Sequence, residues 1–323
     1  MSVLVYLEHA DGVVDDSSLQ ALTFARSLAG AAPQAAVCAW VEVPRALSAA
    51  LAEHSVGTLY VAEAEVFASY APRALAEAVA ELAERLGATA IVGPGTERGN
   101  EVLAHVAALT DQPFAANCVA VAVSSGETHV TRVRWGGSLL EEARLAGSPA
   151  LLTVQPHAIV VETTGDATPA VETFAPALSE AAESLRVVER VGDASRGVSL
   201  ADAKVVVSGG RGTGSTEGFA VVEELAGLLG AAVGCSRAVT MAGWRPHTDQ
   251  VGQTGTKIAP DLYVACGISG ATQHLAGCKG AKAILVINSD PEAPILASAD
   301  YAVIGDLHAI LPALSEAIRA ARS

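Results

Sequence analysis

Val205-Val206-Val207-Ser208-Gly209-Gly210-Arg211-Gly212-Thr213-Gly214-Ser215 runs from three β-branched residues straight into four glycines. Such a segment reads as a buried strand that stops in a tight loop and opens a helix, the unit from which open α/β sheets are built. Glycines let backbone N–H groups approach a phosphate, the helix start adds partial positive charge, and Arg211 adds a full one. No Lys-Ser/Thr pair follows, so this is not a Walker loop. Ser215 stands where the dinucleotide fingerprint has its third glycine. Taken alone, the loop is either a phosphate cradle or a tight turn at a sheet edge.

Working outward, residues 204–208, 262–266 and 283–288 read as strands and 217–229, 271–277 and 307–320 as helices. Towards the N-terminus the same alternation recurs, with strands at 3–8, 36–41, 58–62 and 89–92 and helices at 17–29, 45–53, 72–86 and 97–109. Short apolar runs bounded by Gly, Pro or Asp mark buried parallel strands. Residues 118–123, 129–134 and 150–154 follow without a clear helix between the first two, so an antiparallel edge is expected there. Between 157 and 202 the pattern loosens into turn residues and charges. The expected architecture is therefore α/β in two α/β domains. An N-terminal open, mostly parallel sheet spans 1–190, a linker lies at about 160–200 with a strand near 186–190, and a Rossmann-like domain spans 200–323.

The 323 residues suffice for two cores, and 51% apolar against 17% charged residues describes a globular chain. No apolar run approaches the length of a membrane span. The net charge of −15 disfavours nucleic acid and anionic membranes, because no basic stripe exists to release phosphate counterions. The five cysteines show no metal spacing and read as buried free thiols of a reducing compartment. Residues 2–9 alternate like a strand, so no leader is expected ahead of the fold. With the Ala-, Gly- and Arg-leaning usage, the expectation is a soluble prokaryotic cytoplasmic protein without a metal.

Four further stretches carry polar chemistry. Gly234-Cys235-Ser236-Arg237 ends a short apolar strand with a hydroxyl and a guanidinium, suited to an anion or an aromatic face. Read alone, Arg237 is a surface or ion-pair residue before it is a ligand contact, and His247 a plain loop histidine. Asp249-Gln250-Val251-Gly252-Gln253-Thr254-Gly255 and Cys266-Gly267-Ile268-Ser269-Gly270-Ala271-Thr272-Gln273-His274-Leu275-Ala276-Gly277 place small, hydroxyl, amide and imidazole groups where two turns can wrap one flat polar ligand. Asn288 closes a buried strand, where α/β sheets put ligand-binding residues. Asp306 precedes the last helix and is a candidate N-cap as well as a ligand contact.

In order, Gly-Gly-Arg-Gly, Gly-Cys-Ser-Arg, Val-Gly-Gln-Thr-Gly, Gly-Ile-Ser-Gly-x-x-Gln-His-x-x-Gly, Ile-Asn-x-Asp-x-x-Ala-Pro-Ile and Ala-Asp-Tyr-x-x-x-Gly-Asp-Leu resemble the electron transfer flavoprotein alpha subunits. The resemblance covers about 204–319. It continues more weakly upstream in the opening strand, in Tyr60-Val61-Ala62 and in Arg134-Trp135-Gly136-Gly137-Ser138. It implies one FAD per heterodimer, held by the C-terminal domain, with AMP in a beta subunit packed on the N-terminal domain. Arg211, Ser236, Ser269 and Gly270 would face the phosphates and ribityl chain, and Asn288, Asp306 and Leu307 the adenosine. Val251, Gly252, Gln253 and Thr254 would line the isoalloxazine ring, with Thr254 near N5. Ala271, Thr272 and Gln273 belong to the same binding turn. Arg237 would lie over the ring and His274 would approach its N1/C2=O edge.

The resemblance also implies an electron carrier, without substrate chemistry of its own, between flavin-dependent dehydrogenases and a membrane quinone oxidoreductase. A cation roughly 4 Å from the ring, at an effective dielectric near 20, is worth about 4 kcal/mol, on the order of 0.2 V, so Arg237 and His274, both as cations, would stabilise an anionic semiquinone. Three positions depart from the family pattern: Thr272, Val286 and Ser289. The segment Trp244-Arg245-Pro246-His247 looks like divergent branches, which keeps an NADH-oxidising, electron-bifurcating member with two FAD as the alternative. A nucleotide-binding regulator using Gly93-Pro94-Gly95-Thr96 as well as Gly209–Gly212 is a third reading.

Overall fold

The computed structural model describes residues 2–10, 12–29, 34–39, 45–124, 126–137, 139–164, 167–188, 199–201 and 203–322. The chain divides into two compact units, Met1–Val191 and Gly192–Ser323.

The first unit runs β1 (Val3–Tyr6), a small hairpin of β2 (His9–Ala10) and β3 (Val13–Val14), α1 (Asp16–Ala29), β4 (Gln34–Ala39), α2 (Arg45–Ala50), β5 (Val56–Ala62), α3 (Pro72–Arg85), β6 (Ala90–Pro94) and α4 (Glu97–Thr110). There follow β7 (Phe114–Ser124), β8 (Glu127–Arg134), β9 (Leu139–Leu145), β10 (Ala150–Val154), β11 (Ala170–Phe174) and α5 (Glu180–Ser184). Nine strands form one sheet in the order β11-β5-β4-β1-β6-β10-β7-β8-β9. All pairs are parallel except β7 with β8 and β8 with β9. Val3, Val5 and Val92 point to one face and Leu4, Tyr6 and Ile91 to the other, each face covered by its own apolar cluster. Burial on both faces is why these strands read as unbroken apolar runs.

Two departures from the sequence expectation have simple causes. The stretch expected to be linker contains β11, which joins the sheet edge parallel to β5, and α5, whose Ser179 accepts from the Ala182 N–H at its start. Four of the five β11 residues are exposed, so no apolar run announced the strand. Strand β9, Leu-Leu-Glu-Glu-Ala-Arg-Leu, has no buried residue and no clean alternation, and it was likewise not foreseen. Of the strand expected at 186–190, residues 186–188 are not in a strand and 189–190 lie outside the described residues, as do 40–41 and Ser138.

The second unit runs β12 (Val205–Gly209), α6 (Ala220–Leu229), β13 (Ala232–Cys235), α7 (Arg237–Met241), β14 (Leu262–Cys266), α8 (Thr272–Cys278), β15 (Ile284–Asn288), β16 (Tyr301–Ile304) and α9 (Leu307–Arg322). Its five strands are all parallel in the order β13-β12-β14-β15-β16. Counted along the chain this is the doubly wound order 2-1-3-4-5, whose topological switch lies between β12 and β14. In sheets of this order ligands bind outside the carboxyl ends of the strands at the switch point.

No helix among the described residues is long and apolar enough to cross a membrane, and no cluster of three or more His, Cys, Asp and Glu is placed to hold a metal ion. Cys118, Cys235, Cys266 and Cys278 are free and buried. Burial pushes their thiols up, to about 12 for the first three and about 11 for Cys278. The side chain of Cys38 lies outside the described residues.

Candidate functional site

The glycine loop after β12 and the turn after β14 meet backbone to backbone. The Gly212 N–H donates to the Gly267 carbonyl at 3.0 Å. A Cβ at Gly267 would come within 2.7 Å of the Gly212 Cα, and the Gly267 φ of 62° already lies in the left-handed region. The loop is therefore a close approach between two turns as well as an open rim. Arg211 stands exposed on that rim, beside a cleft of about 180 Å³ lined also by Ser236, Ser269, Asn288 and Asp290.

A second cleft of about 120 Å³ shares Ser236, Ala238 and Ser269 with the first, and is lined further by Arg237, Gln250–Thr254, Ile268, Gly270, Ala271, Gln273 and His274. The two clefts thus form one polar track across the switch point. Ser236 precedes α7, and its hydroxyl is not spent on capping that helix. Arg237 follows on the exposed side. The 250–256 loop is pinned from three directions: Val251 N–H to the Cys235 carbonyl at 2.9 Å, Gln253 N–H to Gln273 at 2.7 Å, and Thr256 N–H to Gln250 at 2.7 Å. Gly277 lies so close to Gly252 that any side chain there would overlap its backbone.

His274 is buried, and its Nε2 lies 2.8 Å from the hydroxyl of the fully buried Tyr263. Nδ1 is shut away from solvent with no hydrogen bond of standard geometry. Burial pushes the imidazole down to about 4, with the Val251 backbone pulling weakly the other way. The ring is therefore neutral at pH 7 and acts as a hydrogen-bonding group, which leaves Arg237 as the cation of this end. That differs from the expectation of two cations.

Asn288 lines the first cleft, but both ends of its amide are committed: Nδ2 donates to the Ile268 carbonyl at 2.9 Å and Oδ1 accepts from the Asp290 N–H at 3.1 Å. It braces the turn that presents Ser269. Three expected residues line neither cleft. Thr272 is exposed at the first turn of α8, and Asp306 is exposed and caps α9 by accepting from the His308 N–H at 2.9 Å. Leu307 is buried against the Gly267 turn. His247 lies outside both clefts, and Arg245 is bonded to Asp249 and Glu223 and stacked over Phe219 at 5.6 Å, which anchors the loop that leads into Gln250. Gln250, Tyr263 and Asp290 were missed as site residues. Gln250 and Asp290 lie inside quoted motifs, whereas Tyr263 carried no signal.

The first unit treats its glycine turn differently. The Gly95 N–H donates to the Val154 carbonyl at 2.8 Å, and Thr96 caps α4 by accepting from the Gly99 N–H at 2.9 Å. The Glu8 carboxyl then accepts from the Thr96 hydroxyl at 2.7 Å, and Asn100, Asn117 and Thr153 bond one another behind it. The nucleotide-cradle reading of this loop finds its polar groups already paired.

Comparison with known proteins matches residues 3–179 to the electron transfer flavoprotein domain and residues 199–279 to the electron transfer flavoprotein FAD-binding domain. The electron transfer flavoprotein subunit alpha of Mycobacterium tuberculosis (strain H37Rv) is 37% identical over 318 residues, covering 98% of each chain. The chain belongs to the electron transfer flavoprotein alpha-subunit family. The alpha subunits of Paracoccus denitrificans, 36% identical over 98% of this chain and 99% of that one, and of Bacillus subtilis, 32% identical over 97% and 96%, match it over nearly the same extent.

The family's cofactor is FAD, and the residues present fit it. The exposed Arg211 and Arg237, the Ser236 hydroxyl not spent on capping α7, and a polar track between two glycine turns are what a flat, anionic-tailed ligand would complete.

Proposed function

We propose that this chain carries FAD in a heterodimer with an electron transfer flavoprotein beta subunit that holds AMP. The heterodimer would take electrons from flavin-dependent dehydrogenases and pass them to a membrane quinone oxidoreductase in a prokaryotic cytoplasm. Residues 1–190 are the part that packs on the beta subunit, and 200–323 the part that holds the cofactor.

The observation that supports this reading is the asymmetry of the track. One end has the exposed Arg211 for a diphosphate, with Ser236 and Ser269 midway. The other has Arg237 beside Thr254 and a neutral, buried His274, walled by Val251 and Ile268. Bound FAD supplies the isoalloxazine that accepts and releases electrons. Arg237 would meet negative charge gained at that end without a proton having to move, since a guanidinium stays charged. Thr254 and His274 would orient the ring edge by hydrogen bonds, and the apolar wall would keep water from it.

The test is a flavin and AMP count on the chain co-expressed with its beta subunit, followed by stepwise reduction. One FAD, one AMP and accumulation of an anionic one-electron-reduced flavin are expected. Two FAD with reduction by NADH would instead establish the bifurcating alternative.

A further inference from the structure

Gln250 has 2% of its surface exposed and stands behind the Thr254 hydroxyl that lines the ring-end cleft. Its amide spans two threonines: Nε2 donates to Thr254 Oγ1 at 3.0 Å, and Oε1 accepts from Thr240 Oγ1 at 2.8 Å. The backbone of Gln250 is fixed as well, with its N–H on the His247 carbonyl and its carbonyl accepting from Thr256. The amide has nowhere else to go.

A hydroxyl has one hydrogen to give. With an amide N–H already bonded to its oxygen, Thr254 has that hydrogen free for an acceptor in the cleft. Thr240 Oγ1 also lies 2.9 Å from the Arg237 carbonyl, which gives the chain of bonds a second consistent polarity. In that polarity Thr240 donates to Arg237, the turned amide donates to Thr240, and Thr254 donates back to the amide oxygen and offers a lone pair outward.

We propose that Gln250 is a positioning residue that keeps the Thr254 hydroxyl bonded from behind in either polarity. Thr254 can then meet a ring nitrogen whether that nitrogen is bare or carries a hydrogen. Gln250 touches no cofactor atom in this scheme; it acts through Thr254. The proposal rests on the flavin ring lying at Thr254, as argued for the site.

The test compares the affinities of the full heterodimer for FAD and for 5-deaza-FAD, in which a C–H replaces the N5 nitrogen. Gln250→Glu presents only acceptors to Thr254, forces its hydrogen backwards, and lowers the preference for FAD over the analogue. One neutral hydrogen bond corresponds to roughly a two- to ten-fold change in that ratio. Charge and folding defects cancel, because both ligands are measured on the same protein. Thr254→Val lowers the ratio similarly, and Gln250→Glu adds nothing in that background. Gln250→Met, which removes the amide without adding charge, lowers the ratio by less. Equal weakening of both ligands in the Gln250 variants would overturn the proposal and leave Gln250 as a loop former. An unchanged ratio in Thr254→Val would instead overturn the placement of the ring, and the proposal with it.

Discussion

The two units solve the same local problem in opposite ways. In each, parallel strands end in a glycine turn that leads into a helix or a helical turn. In the first, Glu8 brings its own carboxylate to the start of α4 and Asn100, Asn117 and Thr153 satisfy one another. In the second, Arg211 and Arg237 face solvent beside the two clefts. What distinguishes the two turns is therefore whether charged side chains stand open beside a cleft or are met by groups of the same chain, since the fold class is common to both.

The largest effect expected from breaking this contrast comes from paired glycine substitutions. Gly267→Val adds bulk at a positive φ and against the Gly212 backbone, and Gly95→Val places a Cβ against the Val154 carbonyl. Each costs about 3 kcal/mol or more in thermal or denaturant unfolding. Only Gly267→Val also strips flavin from the purified protein, and equal flavin loss in both would erase the distinction.

The next effect is a pH dependence confined to the first unit. Burial raises the Glu8 carboxyl from 4.5 to about 7, helped by Asp15 and opposed by the Thr96 hydrogen bond. The folded state then holds the proton more tightly than the unfolded one. Its contribution to stability is full below about pH 4.5, declines as pH rises towards 7, and is flat above, a change of up to about 3 kcal/mol. Glu8→Gln keeps an acceptor for Thr96 and removes this slope. Unfolding curves of the two proteins should converge near pH 4.5 and separate by pH 7.5, with the variant more stable.

Much of the contrast's second half was legible beforehand. The β12 loop, the 249–255 and 266–277 segments and the parallel strands all carry local signals, because glycine spacing and apolar runs reflect constraints met within a few residues. The closed character of the first site was not legible. Glu8 and Thr96 are far apart in sequence, and nothing in a Val-Tyr-Leu-Glu strand end says that its carboxyl turns back onto a helix. Tyr263 likewise read as one more apolar strand residue, because the partner of its hydroxyl arrives from α8. Asp306 carried both of its meanings in the sequence, and the structure realises the cap.

Smaller effects sharpen the ring end. Arg237→Met should lower the midpoint potential of the bound flavin by on the order of 0.1 V, less than a buried cation would give because Arg237 is exposed and screened. Spectroelectrochemical titration of the heterodimer measures it, and an unchanged potential would remove Arg237 from the redox site. Tyr263→Phe leaves a buried His274 nitrogen unpaired and should cost about 1–2 kcal/mol in denaturant unfolding, with flavin content retained.

The central claim, that the open track of the second unit and not the paired turn of the first holds the cofactor, is tested most directly by photolabelling. The full heterodimer is irradiated with an azido-FAD analogue and the labelled peptides are mapped. The account predicts attachment within residues 236–274, competed away by FAD. Attachment to the peptide that carries Gly95, Thr96 and Asn117 would contradict it.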